Sequence, residues 1–291
     1  MRKIFTLIFS LLLFSTSAIR PVLADSYSIG FETSHIKILS PHSKSINCSG
    51  SLSIDGTSDL SEVWFCVRSP QKELTTARAQ VVDGRFNLDL NLRMGAGEYT
   101  IWAGDNPTRF DGSIRFLVKN DSSEDARYTA PSLYVNYKDP DISRLAESLT
   151  AGETDDMSKL KKIHDWITSN ISYDYEAYAR GENKLITASE TLAVRKGMCR
   201  DYAFLLAALS RSAGLPAKVV YGEASPRAGL SKGLHAWNEV MVNGQWVPVD
   251  SCWDAGYITS SEFVSAPSTR FLAPDRAVLA ATHTATSAAL Y

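Results

Sequence analysis

Cysteine is scarce in this sequence, with four in 291 residues, and no two of them are spaced as CxxC. No HExxH stretch occurs either, so a structural zinc or zincin site has no support in the pattern. The absence of GxSxG removes the serine nucleophile elbow, and no acidic loop has the spacing of an EF-hand calcium site. Charge of one sign is also missing: 30 Lys+Arg stand against 32 Asp+Glu, a net charge of -2. That balance gives no electrostatic footing for nucleic acid. The runs "SSEDAR" and "GETDD" are short and read as solvated turns.

Long apolar runs are confined to the start, "MRKIFTLIFSLLLFSTSAIRPVLADS". Arg2 and Lys3 form a positive n-region, Ile4 to Phe14 an apolar h-region, and Val22-Leu23-Ala24 a small-residue site for a cut before Asp25. Arg20 interrupts the apolar stretch short of the ~20 residues a membrane span requires. A signal peptide over 1–24 is expected, and with it an extracytoplasmic mature chain that has no membrane span. In that compartment four cysteines allow two disulfides. Cys48 and Cys66 lie in neighbouring strand-like stretches, and the pattern leaves a bridge between them open.

Two halves with different periods follow. Residues 25–120 read as short alternating strands, among them "HIKILS", "VWFCVR" and "GEYTIWAG", at the spacing of a β-sandwich. Asp83-Gly84 between two such runs predicts a two-residue hairpin turn. His35 and His42 are isolated there and read as surface or strand residues. A polar connection over 121–138 leads to a domain spanning 139–291. Its helix "DMSKLKKIHDWITSNI" repeats Met157, Leu160, Ile163, Ile167 and Ile171 at helical spacing, with Asp155 or Asp156 as N-cap and His164 flanking the stripe. Helices come first and strands afterwards, which predicts an α+β domain.

"GMCRDYAFLLAALSRSAGLP" places Cys199 at the start of a helix that is apolar on nearly all sides, hence buried. Gly214 and Pro216 end it. The positive end of a helix favours a thiolate, although a small buried hydrophobe is the commoner role of a free cysteine. In "LHAWNEVMVNGQWVPVDSCW", Asn243-Gly244 predicts a type I′ turn. The strand pairing is then fixed: 242 faces 245, 240 faces 247, and, carried further, 237 faces 250 and 235 faces 252. His235, Trp237, Asp250 and Cys252 would share one face, with His235 diagonal to Asp250. A carboxylate there can fix the imidazole tautomer. A thiol, an imidazole and a carboxylate are the parts of nucleophilic acyl transfer.

These three segments, "GMCRDYAFLLAALSRSAGLPAKVVYG", "HAWNEVMVNGQW" and "VPVDSCWDAGY", resemble the transglutaminase-like superfamily of papain-type thiol enzymes, and "KIHDWITSNISYDYEAY" and "TRFLAPDRAVLAATH" are similar to flanking segments of kyphoscoliosis-peptidase-like members. The resemblance implies a papain-like α+β core behind the all-β sandwich, with Cys199 as nucleophile, His235 as base and acid, and Asp250 as orienter. It further implies a secreted thiol enzyme acting on peptide or glutamine carboxamide bonds through a thioester, without cofactor or metal, on a protein or peptide substrate. Hydrolysis is favoured over cross-linking because no acceptor-amine subsite can be read. Tyr173, Tyr175 or a group near Thr187 would complete an oxyanion hole, and Trp237 and Trp246 would either wall off solvent or pack in the core. The alternative is a catalytically silent module that binds a cell-surface or envelope component through the sandwich.

Overall fold

The computed structural model describes residues 22–23, 29–225 and 232–289. The expected signal peptide falls almost wholly outside them. The first half is a sandwich of two sheets. Ile36–Ser40, Ser51–Ser58 and Arg85–Asn91 form one in that order. The other runs Ile46–Cys48, Ile114–Asn120, Gly97–Gly104, Glu62–Arg68, Leu74–Gln80. Alternation along the strands sends one set of side chains inward. Ile38, Ile54, Val63, Phe65, Ile101 and Phe116 are all fully buried in the shared core.

The turn at Asp83-Gly84 forms with both residues at positive φ, 50° and 73°. Its flanking strands do not pair as one hairpin beyond Val82 and Arg85. Leu74–Gln80 and Arg85–Asn91 lie in opposite sheets, so the turn carries the chain across the sandwich. A local turn signal specifies the reversal but not which sheet receives the next strand. Cys48 and Cys66 are free thiols. Cys66 packs instead with Trp64, Trp102 and Phe110 in a separate small cluster, away from the core against which Cys48 lies. The bridge that the pattern left open is not made.

The second half is α+β. Helix Cys199–Ser212 is its axis, and every residue from Asp201 to Arg211 is buried. Helices Pro140–Thr150, Asp156–Asn170 and Ala188–Val194 pack around it, together with a four-stranded antiparallel sheet. The sheet order is Gln245–Val249, Gly233–Val242, Ala217–Ala224, His283–Ala289. The predicted cap at Asp155 is in place, accepting from Ser158 N–H at 2.7 Å, and Thr187 and Glu190 form a capping box that was not predicted from the sequence. Gly214, at φ 85°, closes the central helix as expected.

Buried Asn238 fastens sheet to helix. Its amide donates to the Ala203 carbonyl and to the Lys218 carbonyl, each at 2.9 Å. That side chain sets the separation between the helix start and the strand that carries His235. Among the described residues, no helix is long and apolar enough to cross a membrane.

Candidate functional site

Three segments meet at one end of this sheet. Gly233–Val242 brings His235 in, and the turn at Asn243-Gly244 returns the chain along Gln245–Val249 in the predicted register, with Val242 opposite Gln245 and Val240 opposite Val247. Pairing stops at Asn238 and Val249. Asp250 is then the N-cap of a short helix, Ser251–Ala255. The strand expected to run on through Cys252 therefore breaks two residues earlier. Asp250 breaks it because its Oδ1 accepts the Trp253 N–H at 3.0 Å, the local bond by which aspartate starts helices.

Asp250 is buried, and its second oxygen, Oδ2, is shared. Nε2 of His235 lies 2.7 Å from it and Nε2 of His283 lies 3.1 Å from it. His283 begins the edge strand His283–Ala289, so the third member of the cluster comes from far along the chain. One ligand-type atom from each of His235, Asp250 and His283 falls within 4.8 Å of the others. Trp253 and Phe271 roof the cluster: Trp253 lies 5.1 Å from the His235 ring and 4.6 Å from the His283 ring, and Phe271 lies 5.4 Å from His283. Trp237 packs edge-on against His283 at 5.0 Å.

Burial by itself would lower the His235 pKa. The Asp250 carboxylate outweighs that, helped by a hydrogen bond with the Cys199 side chain, and raises it to about 10. Burial would raise Asp250, but the two imidazoles hold its carboxyl well below the ordinary carboxylate range. The pair is thus held ionised, imidazolium against carboxylate, over the neutral range.

Each residue named from the sequence has a place. Cys199 is the first residue of the central helix, half-buried, and hydrogen-bonded to His235. Gly197 precedes it because the chain comes close there: a Cβ would stand 2.6 Å from Asp201 Cβ. Asp201 takes the Met198 N–H at 2.8 Å and starts the helix. Cys252 is buried on the short helix, and its thiol is pushed well up by burial. Trp246 is remote from the cluster and packs against Tyr128 and Lys218. Tyr175 donates to the Ser260 carbonyl at 2.9 Å, while Tyr173 packs beside Tyr178 and Phe263. Thr187 is committed to its helix cap.

These positions correct the expected centre. A chain of thiol, imidazole and orienting carboxylate was anticipated, working through a thioester as a peptidase or acyltransferase. The buried polar cluster found is instead His235–Asp250–His283, and no cysteine belongs to it. The carboxylate assigned to orient one ring is divided between two. This overturns the description of the site as a catalytic triad of a cysteine protease.

Two features were missed in the sequence. His283 lay inside the segment "TRFLAPDRAVLAATH", and alternation in "HTATSAA" was the available sign of a strand. Gly222 was the other sign. A Cβ there would meet the Thr284 carbonyl at 2.2 Å and Trp237 Cη2 at 2.6 Å, so glycine is needed where these strands close up under the indole. His164, expected on a helix flank or in helix packing, is fully buried and bonds Asp254 at 3.0 Å through Nε2.

Residues 143–251 match the Transglutaminase-like superfamily. The chain is 30% identical over 131 residues to kyphoscoliosis peptidase of Mus musculus, covering 42% of this chain and 20% of that protein. An uncharacterised protein of Bacillus subtilis, YebA, is 27% identical over 187 residues, 58% of this chain and 25% of its own. The chain thus spans a quarter or less of these relatives. Among solved structures, the periplasmic domain of TgpA from Pseudomonas aeruginosa aligns with 72% of this chain and 74% of its own. Its identity is 18% and its TM-score 0.35. The second half of the chain is thus similar, over its matched segment, to the Transglutaminase-like superfamily and to kyphoscoliosis peptidase.

Proposed function

We propose that the protein acts by binding, not by turnover. In this reading it is exported, residues 25–120 dock on a cell-surface or envelope component, and the domain from 139 onward is a catalytically silent support. The observation that carries it is the composition of the buried cluster. Asp250 accepts three hydrogen bonds, from His235, His283 and the Trp253 amide, and Cys199 stands outside this cluster as a contact of His235. The sandwich offers a polar cleft of about 390 Å³, lined in part by Glu32, His35, Lys37, Thr57 and Asp59. Side chains of both signs with hydroxyls between them suit a polar partner.

The test uses the purified mature chain and envelope fragments in a sedimentation assay, with labelled peptides and primary amines followed by mass in parallel. Binding weakened by a Lys37→Glu/Asp59→Lys double variant and unchanged by Cys199→Ala, with no product in any sample, is the expected result. A product formed by wild type and lost in Cys199→Ala would overturn the reading. So would envelope binding indifferent to the sandwich variant.

A further inference from the structure

The outer face of the five-stranded sheet gathers hydrogen-bond donors around one indole. Strand alternation turns Val63, Phe65, Ile101 and Phe116 into the sandwich core and sends Cys66, Arg68, Thr100, Trp102 and Arg115 to the opposite face. Cys66 and Arg115 stand directly across from Trp102 on its two neighbouring strands, and Arg68 stands across from Thr100. Both guanidiniums settle on the same ring. The Arg68 Cζ lies 5.2 Å and the Arg115 Cζ 5.8 Å from the Trp102 centroid.

Among the described residues these donors have no carboxylate to meet. Trp102 is 2% exposed and Arg115 7% exposed, yet the Trp102 indole N–H is buried without a hydrogen-bond partner. The Arg115 guanidinium has the ring and no ion-pair partner. Arg68 donates to the Thr100 hydroxyl at 3.2 Å, which leaves that hydroxyl its own proton to give. A neighbouring pair on the same face is completed differently. Trp64 Nε1 donates to Glu62 at 2.8 Å, and Arg78, which stacks on Trp64 at 5.5 Å, pairs with the same carboxylate at 3.5 Å. Glu98, also on this face, is exposed opposite Lys119. Buried N–H groups and guanidiniums left unpaired are costly, and native folds keep few of them.

We propose that Arg68, Thr100, Arg115 and the Trp102 N–H bind one phosphate-class oxyanion on the outer face of the sandwich. The anion does there what Glu62 does beside Trp64. A carboxylate, with one charge, leaves one of the two guanidiniums uncompensated, whereas a phosphate monoester carries about -1.5 to -2 near neutral pH and balances both. Arginine forks suit its oxygens. Arg68 ends its strand half-buried, so solvent reaches the group from that side. No bond is made or broken. The site lies on the sheet opposite to the one that carries Lys37, and it does not depend on the docking role proposed for the cleft there.

The experiment titrates the purified mature chain with inorganic phosphate by calorimetry at low salt, beside Arg68→Gln, Arg115→Gln, Arg115→Lys and the Lys37→Glu/Asp59→Lys variant. Expected are one phosphate per chain and a loss of about tenfold to 100-fold in each Gln variant, with near-UV circular dichroism reporting whether the variants fold. Arg115→Lys, which keeps the charge and loses the fork, should lose less than Arg115→Gln, and the cleft variant should bind as wild type does. Glycerol phosphate is titrated in parallel: tighter binding of either phosphate supports the site and tells a free ion from an esterified one. Succinate supplies two charges on carboxylates. Three results would overturn the proposal: no uptake by wild type at millimolar phosphate, wild-type uptake by a folded Arg68→Gln or Arg115→Gln, or succinate bound as tightly as phosphate.

Discussion

Asp250 and Asp254 stand one helical turn apart, joined by a backbone bond from the Asp254 N–H to the Asp250 carbonyl at 3.1 Å, and each carboxylate holds a buried histidine. The first anchors the cluster. The second anchors its mounting, because Asp254 Oδ2 also takes the Phe271 N–H at 2.8 Å, while Oδ1 accepts the Ser268 hydroxyl. Helix Asp156–Asn170 is thereby tied, through His164, to the short helix and to the loop that supplies Phe271.

Removing His164 should therefore loosen more than its own helix. His164→Ala leaves a fully buried carboxylate short of a partner, and a loss of about 3–5 kcal/mol is expected for breaking such a pair. Urea unfolding measures the total. Hydrogen exchange should show amides of 251–272 losing protection, and unchanged protection there would separate His164 from the site.

Gly222→Ala should be costly despite its small size. The added methyl meets the Thr284 carbonyl, which cannot move without its strand, and the Trp237 indole. Overpacking of this kind costs about 1–3 kcal/mol. The melting temperature should fall and tryptophan emission should shift, because the displaced indole borders the His283 ring.

Thiol reactivity should follow burial. Burial pushes Cys66 up to about 12 and Cys252 well above its usual range, whereas Cys199 stands half-exposed at a helix start. Iodoacetamide on the native protein should label Cys199 and spare Cys66 and Cys252, and all three should react in urea. Peptide mass mapping checks it. Native labelling of Cys252 would mean that the short helix opens readily.

Asp201 provides a pH signature. Burial pushes its carboxyl up from 3.8 to about 6. A raised folded-state pKa gives stability that is present below about 3.8 and is lost as pH rises through about 6. Asp201→Asn, neutral throughout, should escape that loss. Relative to wild type the variant should therefore gain between pH 4 and pH 7, by on the order of 3 kcal/mol if the shift is fully expressed. Urea midpoints at the two pH values measure the change. A constant difference would place the carboxylate in water.

The helices were legible because their signals are local. The stripe from Leu160 to Ile167, the cap at Asp155, and the apolar run after Cys199 each lie within a few turns of chain. The register of Gly233–Val242 against Gln245–Val249 was legible for the same reason, since the Asn243-Gly244 turn fixes it. Cys199, His235 and Asp250 were also brought to one end of the sheet. What the sequence hid depends on distant partners. Asp250 looked like a strand end because its capping bond to Trp253 competes with strand geometry and wins only in place. His283 could not be assigned before the edge strand was seated beside Ala217–Ala224. His164 needed Asp254, ninety residues away along the chain. The sandwich's two sheets were legible as strands, but the crossing at Asp83-Gly84 was not.

The placement of His283 on an edge strand has a consequence for assembly. An edge is held along one side only, so the second imidazole arrives on a strand that pairs with Ala217–Ala224 alone. During synthesis the helix, the hairpin and Asp250 all emerge before it. A growing chain thus holds one imidazole opposite its carboxylate until the strand His283–Ala289 docks, and any event that peels that strand returns the centre to this unfinished condition.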